Sequence, residues 1–149
     1  MNRSRRRVLL VLLAGFLPWA AVTWNDGFYL VFSGGYTTSG LSGFSSILTF
    51  VTTPRVSPPY WDAWPLAAVL YLAALALVAL SVTGRFDDRR VTAGFLVLTG
   101  LEVLWFSLGV SGQRGILTLP LGTVWLWLAA AYEYWTHVTR SAARRAASQ

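Results

Sequence analysis

Glu102 sits inside the apolar run Leu98-Thr99-Gly100-Leu101-Glu102-Val103-Leu104-Trp105, where a carboxyl group has few natural partners. At bilayer depth an acid is costly, so it has to turn toward a hydrogen-bonding group. At about 1.5 Å per helical residue, Tyr71 on the preceding apolar run falls at nearly the same depth. Thr99 lies one turn before Glu102, and Thr123 stands on the following run. Glu102, Tyr71, Thr99 and Thr123 therefore make up the candidate polar site. Two chemistries fit it: a relay for protons or cations, and a polar staple that orients packed helices. One acid without a second is a thin pathway, so the staple is the simpler reading.

The other reactive residue types are sparse. There is no cysteine and a single histidine, His137, which leaves no ligand set for a structural zinc or an iron–sulfur cluster. All 12 basic residues are arginine, so a Schiff-base lysine and the lysine of a phosphate-binding loop are both missing. Glu133 and His137 stand at i and i+4, a spacing that reads as an interfacial ion pair before it reads as a metal site. Gly109-Val110-Ser111-Gly112 and Gly43-Phe44-Ser45-Ser46 look like serine-nucleophile strings. Both lie on the side of the chain opposite His137, however, and a nucleophile must reach its base. No catalytic residue, metal or cofactor is assigned, and the chain is expected not to be an enzyme.

These residues need elements to hold them. With 55% hydrophobic and only 12% charged residues, the 149-residue chain falls far below the ~25% charge of ordinary soluble domains. Four apolar stretches, 8–24, 65–82, 91–110 and 116–135, approach the ~20 helical residues that cross a bilayer. They predict an all-α integral membrane protein with four transmembrane helices and one membrane domain over 1–149. A short charged turn over 83–90 and a loop over 111–115 join the last three. Ten of the 12 arginines fall in the tails 1–7 and 136–149 and in the turn 83–90, which orients both termini to the cytoplasm of a multi-pass cell-membrane protein. Arg89, Arg90, Arg144 and Arg145 are placed to touch anionic lipid headgroups. The same topology accounts for the pI near 10.5 without nucleic acid as a partner. Trp19, Trp24, Tyr60, Trp61, Trp64, Tyr132, Tyr134 and Trp135 fall where an aromatic belt would anchor helix ends.

Segment 25–64 is the one long outer connection. Within it Leu41, Phe44, Leu48 and Val51 recur with helical period, which predicts a short amphipathic interfacial helix over about 41–52. The string Ser4-Arg5-Arg6-Arg7 before an apolar run has a rival reading as a twin-arginine export signal cut near Ala20 and Ala21. Trp19 sits where a signal peptidase wants a small residue, so an uncleaved helix is the better reading. Small residues, among them Ala67, Ala74, Gly100 and Gly109, predict close packing of the second and third helices.

Three further strings carry a resemblance: Leu12-Leu13-Ala14-Gly15-Phe16-Leu17-Pro18-Trp19, Arg89-Arg90-Val91-Thr92-Ala93-Gly94 and Leu119-Pro120-Leu121-Gly122-Thr123-Val124. Over most of its length the chain resembles a family of small haloarchaeal multi-pass membrane proteins of unknown function. The resemblance implies an archaeal cell membrane and no chemistry, so no residue role is carried over from it. The function expected from the residues is a membrane subunit or scaffold that packs against a larger membrane protein or a second copy. A homo-oligomeric proton or cation conductor built on Glu102 is the alternative.

Overall fold

A computed structural model describes residues 3–38, 41–54, 58–82 and 88–146, apart from the side chains of 3–4, 137 and 139–146. The chain runs α1 (Arg3–Phe16), β1 (Ala20–Trp24), β2 (Gly27–Val31), β3 (Gly35–Thr37), β4 (Phe44–Ser46), α2 (Ile47–Thr52), a 3-10 turn (Pro59–Trp61), α3 (Ala63–Val82), α4 (Arg89–Ser111), β5 (Ile116–Leu119) and α5 (Leu121–Ala146). The strands form one antiparallel sheet in the order β4-β3-β2-β1-β5. The expectation of an all-α protein with four membrane-spanning helices is thereby overturned, and the multi-pass description built on it falls with it.

The physical reasons are local. Pro18 cannot continue a helix and disfavours helical backbone at the residue before it, so α1 stops at Phe16 after only 14 residues. At about 1.5 Å per residue that is roughly 21 Å, short of a ~30 Å hydrocarbon core. The rest of the expected first span, with β-branched Val22 and Thr23, becomes β1. Asn25 and Asp26 form the two-residue turn into β2, since Trp24 pairs with Gly27. At the other end of the expected fourth span, Ile116–Leu119 pairs with Ala21–Trp24 as a fifth strand, and Pro120 separates it from α5. Two helices among the described residues are long and apolar enough to cross a membrane, over Pro59–Val82 and Arg89–Ser111.

The expected interfacial helix over 41–52 also shrinks. Leu41 takes a left-handed φ of 64°, residues 44–46 are β4, and only Ile47–Thr52 is helical, capped by Ser46 Oγ accepting from Thr49 N–H. Leu41, Phe44, Leu48 and Val51 are all exposed, while Ile47 and Phe50 pack inward. The helical period was present, but two residues off the stripe make the contacts.

β1 is an interior strand of the sheet, hydrogen-bonded to β2 on one side and β5 on the other. Trp19 just before it is fully buried, its Nε1 donating to Ala14 O at 3.0 Å and its ring meeting Tyr71 edge-on at 5.5 Å. Trp64 is buried as well and donates to Phe32 O at 2.9 Å. Neither is placed as an interfacial anchor, whereas Trp135 is 72% exposed. Ala20 and Ala21 are paired strand residues, so cleavage there would cut the start of β1.

Small residues do set the helix spacing, though not all between α3 and α4. Ala67 and Ala74 are buried on α3, but a Cβ at Gly100 would collide with the Trp127 indole of α5, and one at Gly109 with the Tyr60 ring. Asp88 caps α4, its Oδ1 accepting from the Arg90 and Val91 N–H groups at 3.0 and 3.4 Å.

Burial, and then the neighbouring Tyr36, push the Tyr29 phenol from the usual 10.0 up to about 12. Because the folded state holds this proton longer than the unfolded chain, stability is intact below pH 10 and falls as pH rises from 10 toward 12. A phenolate absorbance titration should show a last step near pH 12 that Tyr29→Phe removes. Loss of that step in the wild type at the ordinary tyrosine pH would contradict the buried placement.

Candidate functional site

The helices share one polarity: the sheet lies where α1 ends, where α3 begins and between α4 and α5. Away from the sheet, Arg7 near the start of α1 bonds to Ser81 at the end of α3 and to Glu133 midway along α5, and Arg89 at the start of α4 bonds to Thr136 of α5. Glu102 lies between, 13 residues into α4 from Arg89, or roughly 20 Å along its axis.

The residues expected to surround Glu102 are otherwise engaged. Tyr71 Oη donates to Val11 O of α1 at 2.9 Å. Thr99 Oγ1 donates to Phe95 O in its own helix at 2.7 Å, and Thr123 Oγ1 donates to Gly100 O at 3.0 Å, tying α5 to α4. All three are buried and each hydroxyl proton is committed to a backbone carbonyl, so they act as staples. Glu102 is half-buried and makes no hydrogen bond or ion pair among the described residues. Around it on α4, Leu98 (49%), Leu101 (45%) and Trp105 (60%) point outward.

The bundle's polar centre is the other glutamate, Glu133 of α5. Its carboxylate receives Arg7 Nε at 2.9 and 3.0 Å and Arg7 Nη2 at 2.8 Å, while Arg7 Nη1 donates to Ser81 Oγ at 3.0 Å. Both side chains are buried, 4% and 1% exposed, so a forked ion pair ties α1, α3 and α5 together. The expected pairing of Glu133 with His137 involves a side chain that lies outside the described residues; among those described, Arg7 is the ion-pair partner of Glu133. Sequence spacing gave no hint of it, because the partners are 126 residues apart. The one available signal was that Arg7 closes the basic tail exactly where the apolar face of α1 starts, with Val8 and Val11 packed inward.

Of the arginines assigned to lipid headgroups, Arg90 is exposed, but Arg89 is buried and donates to Thr136 Oγ1 at 2.6 Å, joining α4 to α5. The Arg144 and Arg145 side chains lie outside the described residues. Arg6 is also exposed, with its guanidinium 5.8 Å from the centre of the Tyr132 ring.

Ser111 of the first serine string is a structural residue. Its Oγ accepts from Thr118 N–H at 2.9 Å and donates to Thr118 O at 3.3 Å, satisfying the outer edge of β5. Among the described residues no three His, Cys, Asp or Glu side chains are grouped to hold a metal ion.

The class these features define is a small mixed α/β chain with an antiparallel sheet set on a bundle that contains an apolar α3–α4 hairpin. The chain belongs to the family described as Domain of unknown function (DUF8050), which matches residues 1–144. No match is found among curated proteins. The family description names neither source nor location, so the resemblance to haloarchaeal membrane proteins rests on the strings quoted above.

Proposed function

We propose that the protein is a non-enzymatic membrane subunit or scaffold that docks on a partner through the α4 face around Glu102, with the apolar α3–α4 surface turned to lipid. The observation that carries this reading is the combination at that face: a half-buried carboxyl with no partner among the described residues, flanked by outward-facing Leu98, Leu101 and Trp105. In lipid a lone acid at helix centre costs about 2.5–3.5 kcal/mol on insertion scales, a cost that a donor on a neighbouring protein removes. The hairpin is suited to lipid, because only 28% and 44% of its two apolar windows are buried within the chain. A core helix of a soluble protein would bury most of such a surface. The partner is a larger membrane protein or a second copy. Tyr71, Thr99 and Thr123 all spend their protons on carbonyls, which favours docking over a conduction path lined by them.

The test is purification from native membranes in mild detergent, with the mass of the complex measured for the wild type, Glu102→Gln and Glu102→Leu. The wild type should run as a complex of fixed stoichiometry. Glu102→Leu should weaken it by about tenfold or more, and Glu102→Gln, which retains a hydrogen-bonding amide, by less. A protein that leaves the membrane fraction without detergent, or a complex indifferent to Glu102→Leu, would overturn the reading.

A further inference from the structure

At the sheet end of the molecule, away from Glu102, six segments each deliver one aromatic ring to a single cavity of about 180 Å³. Tyr29 comes from β2, Tyr36 from β3, Phe50 from α2, Trp61 from the 3-10 turn, Trp64 from α3 and Phe106 from α4. The planes of Tyr36, Phe50 and Trp64 are close to mutually perpendicular, at 81°, 76° and 69°, with centroids 4.8 to 6.4 Å apart. Each of the three pairs meets edge to face. Trp61 lies nearly parallel to Phe50, at 23° and 5.8 Å, and meets Phe106 at 86°. No charged side chain lines the space. Trp64 spends its indole N–H on Phe32 O. The Tyr29 and Tyr36 hydroxyls make no hydrogen bond among the described residues.

We infer that this cavity binds a small quaternary ammonium group, such as a trimethylammonium head, held by the faces of the aromatic rings. Ring faces carry the negative lobe of the aromatic quadrupole and attract a cation centred within about 6 Å, most strongly for tryptophan. A quaternary ammonium has no N–H to satisfy, which suits a lining of six aromatic rings, the apolar Val31 side chain and two phenol oxygens. A primary ammonium would leave donors unpaired, and an anion would meet repulsion from every wall. The size fits, since cavities of roughly 150 Å³ admit a molecule as large as benzene. Trp61, Phe50, Tyr29 and Tyr36 are only half-buried, so the cavity reaches the surface. The site does not depend on the membrane reading, because every segment but the two helix ends belongs to the sheet and its connections.

Choline and its uncharged isostere 3,3-dimethylbutan-1-ol distinguish charge from shape on the intact wild-type protein, followed by calorimetry and tryptophan fluorescence. Choline should bind at least about tenfold more tightly than the isostere. Trp61→Leu, which removes one wall, should weaken choline by a similar factor, while Tyr29→Phe, which keeps the ring, should leave it within about threefold. Equal or tighter binding of the isostere, or no binding of choline at millimolar concentration, overturns the inference without any variant having to fold. Choline binding that survives in a folded Trp61→Leu protein overturns its location.

Discussion

Arg7→Met alone is expected to destabilise the fold by about 3–5 kcal/mol, and Arg7→Met combined with Glu133→Leu to recover most or all of that loss. The asymmetry follows from burial. With the two side chains 4% and 1% exposed, removing the guanidinium strands a carboxylate in a site that water does not reach. It also strands Ser81 Oγ as a hydrogen-bond acceptor, although its own proton stays on Val78 O at 2.7 Å. Replacing both ions with apolar groups of similar length removes the desolvation cost together with the attraction, and such swaps are often neutral or stabilising. Glu133→Leu alone should be as damaging as Arg7→Met. Denaturant or thermal unfolding followed by tryptophan fluorescence gives the four values of a double-mutant cycle. Additive losses, with the double variant worst of all, would mean that the pair is solvated and weak.

That pair marks the limit of what the sequence discloses. Uninterrupted apolar runs place the helices over 65–82 and 91–110, and α3 (Ala63–Val82) and α4 (Arg89–Ser111) begin two residues earlier and end at most one later, because nothing inside them competes with helix. The sheet is hidden for the opposite reason. Its first strand follows α1 without a change in hydrophobicity, so a count of apolar residues runs straight through Pro18 into β1. Two signals point the other way: Pro18 itself, and Trp24-Asn25-Asp26-Gly27 between two stretches rich in β-branched and aromatic residues. Tyr71, Thr99 and Thr123 are legible as buried polar residues, yet depth along a helix says nothing of azimuth, and each turns to a backbone carbonyl. Glu133 is a stronger case. Its helical neighbour at i+4 is visible in the sequence, whereas Arg7 reaches it only because α1 and α5 lie side by side. The aromatic residues divide on the same principle. Rings placed by sequence at helix ends include both buried Trp19 and exposed Trp135, and only the sheet packed over the bundle decides which is which.

Trp19→Ala is the second large effect, a loss of about 3–5 kcal/mol. Trp19 is the residue on which α1, the sheet, α3 and α5 converge. Its backbone N–H donates to Val31 O at 2.6 Å, its carbonyl accepts from Gly122 N–H at 2.7 Å, and its indole donates to Ala14 O and meets Tyr71 edge-on. Truncation empties the space beneath β1, while the backbone bonds survive. Trp19→Phe keeps most of the ring but leaves Ala14 O without its donor, so its cost should be about 1–2 kcal/mol. Gly122 supplies the control. A Cβ there would stand 2.7 Å from Trp19 Cα and 2.9 Å from Trp19 Cβ, atoms that no change of rotamer can move. Gly122→Ala should therefore destabilise both the wild type and the Trp19→Ala protein, since the nearest obstacle is main chain. If Trp19→Ala instead relieves the Gly122→Ala defect completely, the clash lies with the indole, and α5 approaches β1 less closely than the Gly122 N–H to Trp19 O hydrogen bond requires. Thermal unfolding of the four proteins decides between the two packings.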